Sequence, residues 1–180
     1  MKNEEILFKE YQTLREEIIA SMSNRNQILS YGLAIIGLLF TSAAALNKTE
    51  LSFIILILAI PIVCTFISMN WLGEYERMQR AGAFIVNLEK RINSIAGEEL
   101  LTWETNLHKG KKHMKYHYHS TLLFFSVVGI LSSLLGIYIS DIHHYFKILL
   151  LIVEFGAIIG LYILFIFRLK QCYSKYYNHD

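Results

Sequence analysis

Charge, proline and cysteine are all scarce in this chain. Only 18% of its 180 residues are charged, one is proline and two are cysteine, while 54% are hydrophobic. Mean hydropathy is +0.38. So little charge beside so much apolar residue excludes an ordinary soluble domain. The two cysteines, Cys64 in an apolar run and Cys172 in a polar tail, form neither a disulfide framework nor a CxxC pair. Residues 1–26 contain five glutamates and no leading apolar core, which is not the pattern of a cleavable signal peptide. No nucleophile with a base, no carboxylate pair at catalytic spacing and no phosphate loop is visible, so an enzyme is not expected.

What is present comes in blocks. Residues 28–46 and 51–69 are uncharged runs of 19 residues each. At ~1.5 Å per residue each spans ~28 Å, about a bilayer core. Pro61 lies in the second run and predicts a kink. Residues 121–140 form a third run. A fourth, 148–167, is broken by one charge, Glu154. The expected fold is an all-α membrane protein with four transmembrane helices in two hairpins, plus amphipathic cytoplasmic helices. Its expected segments are an N-terminal amphipathic helix (1–26), a first hairpin (28–70), a cytoplasmic helical segment (71–119), a second hairpin (120–167) and a basic, aromatic tail (168–180).

Lysine and arginine set the expected orientation. Fifteen of them lie in residues 1–26, the middle segment and the tail; only Lys48 and Lys147 lie in the two short turns. Both termini and the middle segment are therefore expected in the cytoplasm. The two hairpins are then parallel, unlike the inverted repeats of many secondary transporters.

The N-terminal segment spaces Leu7, Tyr11, Leu14 and Ile18 by four, three and four, the mark of an amphipathic helix. In the middle segment Met78, Ala81, Ile85, Leu88, Ile92 and Ile95 form a short heptad seam. Met78, Ile85, Leu88 and Ile92 are the candidate assembly residues, packed with the N-terminal helix. Helix two is expected to run on into this seam, with Trp71 suited to the membrane interface, and to end at Gly97. A second short helix is expected over residues 98–107.

Glu154 is an ionisable group in an apolar span, costly unless it meets water or a partner. It reads either as a pore or gating carboxylate or as a protonated group that packs helices. Gly156 and Gly160 form a GxxxG pair, and Ser126, Gly129, Ser133 and Gly136 line one face of the third span. Such faces admit close helix contact within one subunit or between subunits, or the polar lining of a pore. Glu154, Gly156, Gly160 and Ser133 are the candidate pore or gating set.

Lys109, Lys111, Lys112 and Lys115 alternate with Tyr116 and Tyr118, and the tail repeats the composition with Arg168 and Lys170. Cations among aromatic rings suit nucleotide ligands or single-stranded nucleic acid. Composition alone favours the plainer reading, a juxtamembrane belt on anionic lipid headgroups with interfacial tyrosines. His113 and His117 are one helical turn apart, but the surrounding positive charge and the lack of a third ligand argue against a metal. No metal site and no cofactor are expected.

The order of features in WLGEYERMQRAGAFIVNLEKRI (71–92) and LLTWETNL (100–107) resembles that of small bacterial membrane effectors of anti-phage defence. The layout is similar to the two-helix SLATT-type effectors, and the length and span count resemble the membrane effector of Hailong systems. The second hairpin departs from the SLATT layout. The resemblance implies a multi-pass effector of the bacterial inner membrane, assembled as a homo-oligomer, a tetramer in the simplest case. It would act as an ion channel that depolarises the membrane. Its ligand would be a nucleotide or single-stranded DNA oligomer made by a partner nucleotidyltransferase. The alternative is a non-conducting, membrane-anchored protein that recruits a cytosolic partner through its helical seam. A proton-coupled transporter using Glu154 is a third class, disfavoured by the missing inverted repeat.

Overall fold

The computed structural model describes residues 2–46, 51–109, 115–139, 148–149, 152–153, 155–160, 162–164 and 166–167. Among them every regular element is helical: α1 (Lys2–Ala44), α2 (Leu51–Ala96), α3 (Trp103–Lys109) and α4 (Lys115–Ile139). Three helices are long and apolar enough to cross a membrane, within Glu5–Ala44, Leu51–Ala96 and His119–Ile139. The described residues of the fourth apolar run are also helical, with Phe155–Leu164 as a shorter apolar stretch.

α1 does not break between its polar and apolar parts. No glycine or proline occurs before Gly32, and one inward stripe continues through Ile18, Ser21, Arg25, Gly32, Ile36 and Ala43. α2 likewise passes through Pro61 and ends at Ala96, where Gly97 takes a left-handed φ of 75° and donates its amide to Asn93 O at 2.9 Å. Proline removes one helix hydrogen bond, and here Thr65 Oγ1 donates to the Pro61 carbonyl at 2.9 Å in the same turn.

The chain divides into two compact units. One comprises residues 27–72 and 117–165. Its core is Ile36, Ala43, Phe53, Ile57, Ile60, Cys64, Ile67 and Phe125. Small residues set its helix spacing. A Cβ on Gly32 would stand 2.7 Å from Ile67 Cδ1, and one on Gly136 would stand 3.1 Å from both Ile57 Cγ2 and Leu58 Cδ2. Large apolar side chains also cover the outside, with Leu38, Ile62 and Phe66 about two-thirds exposed. Apolar residues on the outside, with small residues where helices approach closely, is the arrangement that hydrocarbon solvent favours. Trp71, expected at an interface, is completely buried in this unit.

The other unit comprises residues 1–26, 73–116 and 166–180. Ile18, Tyr75, Met78, Ala81, Ala83, Ile85, Leu88 and Ile92 form its buried apolar set. Two expectations are corrected here. Ile95, the last member of the predicted seam, is exposed. The segment expected to be helical over 98–107 is helical only from Trp103, because Asn93 engages the Leu100 and Leu101 amides and holds the chain in a non-helical turn. Ile95 lies one turn nearer the end of α2 than its buried neighbour Ile92, beyond the Asn93 contacts.

Candidate functional site

Two polar residues one turn apart on α2, Glu89 and Asn93, organise the second unit. Asn93 Oδ1 accepts from the amides of Leu100 and Leu101 at 3.0 and 2.9 Å, and its Nδ2 donates to Leu101 O at 2.8 Å. Glu89 is completely buried. Its Oε1 accepts from the Glu104 amide at 2.9 Å; its Oε2 accepts from the Thr105 amide at 2.9 Å and the Thr105 hydroxyl at 2.7 Å. A carboxylate thus caps the start of α3 from a neighbouring helix, satisfying amides that have no partner within α3.

The Glu104 side chain turns the other way, to α1. Arg15 Nη1 lies 3.3 Å from Glu104 Oε2. Burial raises the Glu104 carboxyl above its ordinary range; Arg15 opposes the shift and the Glu89 charge adds to it. Burial also raises the Tyr11 phenol, opposed by Arg15 and reinforced by Glu89 and Glu104. Further along the same pair of helices, Arg25 is buried, with its guanidinium 5.9 Å from the Tyr75 ring centroid and Nη1 3.7 Å from Met78 Sδ. Arg77 bridges Glu74 at 3.4 Å and Glu17 at 4.0 Å.

In the apolar unit a cavity of about 10 Å³ is lined by Pro61, Cys64, Thr65, Ser68, Phe125, Ser126, Gly129 and Ile158. That is about the room one water needs. Ser68 Oγ donates to Cys64 O and Ser132 Oγ to Gly129 O, each at 2.8 Å. The hydroxyls therefore make polar surface inside apolar helices without leaving their donors unsatisfied.

The predicted residues fall into three groups. Met78, Ile85, Leu88 and Ile92 share one face of α2 and are buried inside a single chain. Ser133 is buried on α4, whereas Gly156 and Gly160 are exposed, and a Cβ on either would meet open space. Lys109 belongs to α3, and Lys115, Tyr116 and Tyr118 to the first turns of α4. Glu154, Lys111, Lys112, Arg168 and Lys170 lie outside the described residues. Among the described residues no group of three metal-binding side chains occurs.

Sequence reasoning missed the Glu89–Asn93 pair and the Arg15–Glu104 contact. The signal for Glu89 was present: it is four residues after Ile85 and three before Ile92, on the buried stripe itself. Nothing local marks Arg15 or Glu104, which are 89 positions apart. No protein-family model, curated protein or solved structure matches the chain.

Proposed function

We propose that this chain is a homo-oligomeric membrane effector, an ion channel controlled by an anionic ligand that binds its polar unit. The observation that carries the reading is the clamp on the segment that leads into the lysine run. Glu89 accepts the Glu104 and Thr105 amides at the start of α3, and α3 ends at Lys109, the first lysine of that run. An anion taken up by the run would act on a helix tied to α2, which supports a regulating ligand as its partner.

In this reading the chain spans the bacterial inner membrane four times, as two hairpins with both termini cytoplasmic. Glu154, Ser133, Gly156 and Gly160 contribute to the conduction path of the oligomer, for which a tetramer is the simplest form. The hydroxyl-lined cavity beside Pro61 supports polar occupancy between the helices. Lys109, Lys111, Lys112, Lys115, Tyr116, Tyr118, Arg168 and Lys170 take up a nucleotide or single-stranded DNA oligomer. The resemblance to anti-phage effectors supplies the context, with a nucleotidyltransferase as the source of the ligand and depolarisation as the outcome. The chain itself catalyses nothing.

Membrane potential on expression tests the channel half. Depolarisation abolished by Glu154→Gln supports it, and a normal potential during toxicity overturns it. Oligonucleotide binding at low salt, lost when Lys111, Lys112 and Lys115 become Glu, tests the ligand half.

A second reading has an observation of its own. Leu100 and Trp103, on the return segment, are about 60% exposed. An outward tryptophan suits recruitment of a cytosolic partner by a non-conducting anchor. Silent bilayer recordings together with a pulldown lost in Trp103→Ala would favour it. Ile85 and Leu88, buried within the chain, would not be the contact residues.

A further inference from the structure

The seam Met78, Ile85, Leu88, Ile92 is occupied within one chain, so contact between copies needs another surface. Two stripes on the polar unit fit one another. On α1, Phe8 and Ile19 are more than half exposed, and the exposed Glu16 lies beside them one turn before Ile19. On α2, Phe84 and Ile95 are at least half exposed and alternate with the exposed Arg80 and Arg91. Neither arginine has an ion-pair partner among the described residues. One stripe is apolar with an acid; the other is apolar with two bases.

Height matches as well. α1 and α2 run antiparallel in this unit, and the Arg25 contacts to Met78 and Tyr75 set which positions are level: their numbers total about 100 to 103. Copies spanning one membrane share the same depth, so a neighbour's α2 meets α1 at the same levels. Ile19 then falls within a turn of Phe84, Phe8 within a turn of Ile95, and Glu16 between Arg80 and Arg91. We infer that the α1 stripe Phe8–Glu16–Ile19 of one copy docks on the α2 stripe Arg80–Phe84–Arg91–Ile95 of a second copy of this chain. The two stripes differ, so the contact is head-to-tail and closes as a ring rather than as an isolated pair. The inference rests on the homo-oligomer proposed above and names its surface.

The test uses the full chain in membranes, with Cys64→Ala and Cys172→Ala as background. Two differently tagged chains are co-expressed, one carrying Ile19→Cys and the other Phe84→Cys, then oxidised or treated with a short bismaleimide. The expected result is a covalent species bearing both tags. A chain carrying both cysteines should give a ladder beyond the dimer. Glu16→Arg or Arg91→Glu alone should lower the mixed-tag product about tenfold, and the two together should restore it. Oligomers captured by amine cross-linking without the mixed-tag product would overturn the docking surface and leave the oligomer intact. Cross-linking of Ile19→Cys only to itself would overturn the head-to-tail contact. A monomer under every reagent would remove the oligomer reading, and this one with it.

Discussion

Glu89 and Glu104 stand side by side in opposite roles: the Glu89 carboxylate accepts the Glu104 backbone amide at 2.9 Å, while the Glu104 carboxylate turns away to Arg15 at 3.3 Å. One carboxylate fixes where α3 starts, and the other ties α3 to α1. The three helices of the polar unit thus meet at two acids and one base, and that junction is where a perturbation of α3 would reach α2.

Glu89→Ala should release α3. It strands two backbone amides and the Thr105 hydroxyl in a buried setting, a loss of about 2–4 kcal/mol to local stability. Amide hydrogen exchange at Glu104 and Thr105 should accelerate strongly while the Leu51–Met69 part of α2 stays protected. Unchanged exchange at those two amides would refute the clamp.

Acidity should tighten the same junction. The Glu104 carboxyl is raised above its ordinary 4.5, so the folded state holds the proton more firmly than the unfolded state. Stability is then greatest below the ordinary value and falls as pH rises towards the raised one. Arg15→Gln removes the opposing cation, raises Glu104 further and should widen that pH window upward. Glu104→Gln should flatten it. Thermal unfolding in detergent across mildly acid pH reads both.

The two glycine classes should respond oppositely to size. Gly32→Leu drives a side chain into Ile67, and Gly136→Leu drives one into Ile57 and Leu58, each costing at least about 1–3 kcal/mol. Gly156→Leu meets open space in the single chain. Its monomer stability should hold, so any loss of conduction in that variant would report the place of Gly156 in the oligomer, at the conduction path or at a contact between copies. Thermal stability in detergent beside single-channel recording separates the two.

Gly97→Ala should cost about 1 kcal/mol, because its φ of 75° strains any residue with a Cβ. Asn93→Ala should cost more, since it releases both the Leu100 and the Leu101 amides. Limited proteolysis between Gly97 and Thr102 should rank wild type, Gly97→Ala and Asn93→Ala in order of increasing cleavage.

The apolar runs, the polar segment between them, the buried seam from Met78 to Ile92 and the stop at Gly97 were all legible in the sequence. Each depends on hydropathy, helical period or a glycine dihedral, which are properties of neighbours along the chain. Only the tertiary structure decided the rest. It showed that Trp71 is buried, that Gly32 is crowded while Gly156 is open, and that Glu89 caps a helix it does not belong to. It also showed that Arg15 finds Glu104 across 89 positions. Those outcomes depend on which atoms lie within a few ångströms after packing. A lone charge or glycine carries no periodic pattern from which its partner can be read.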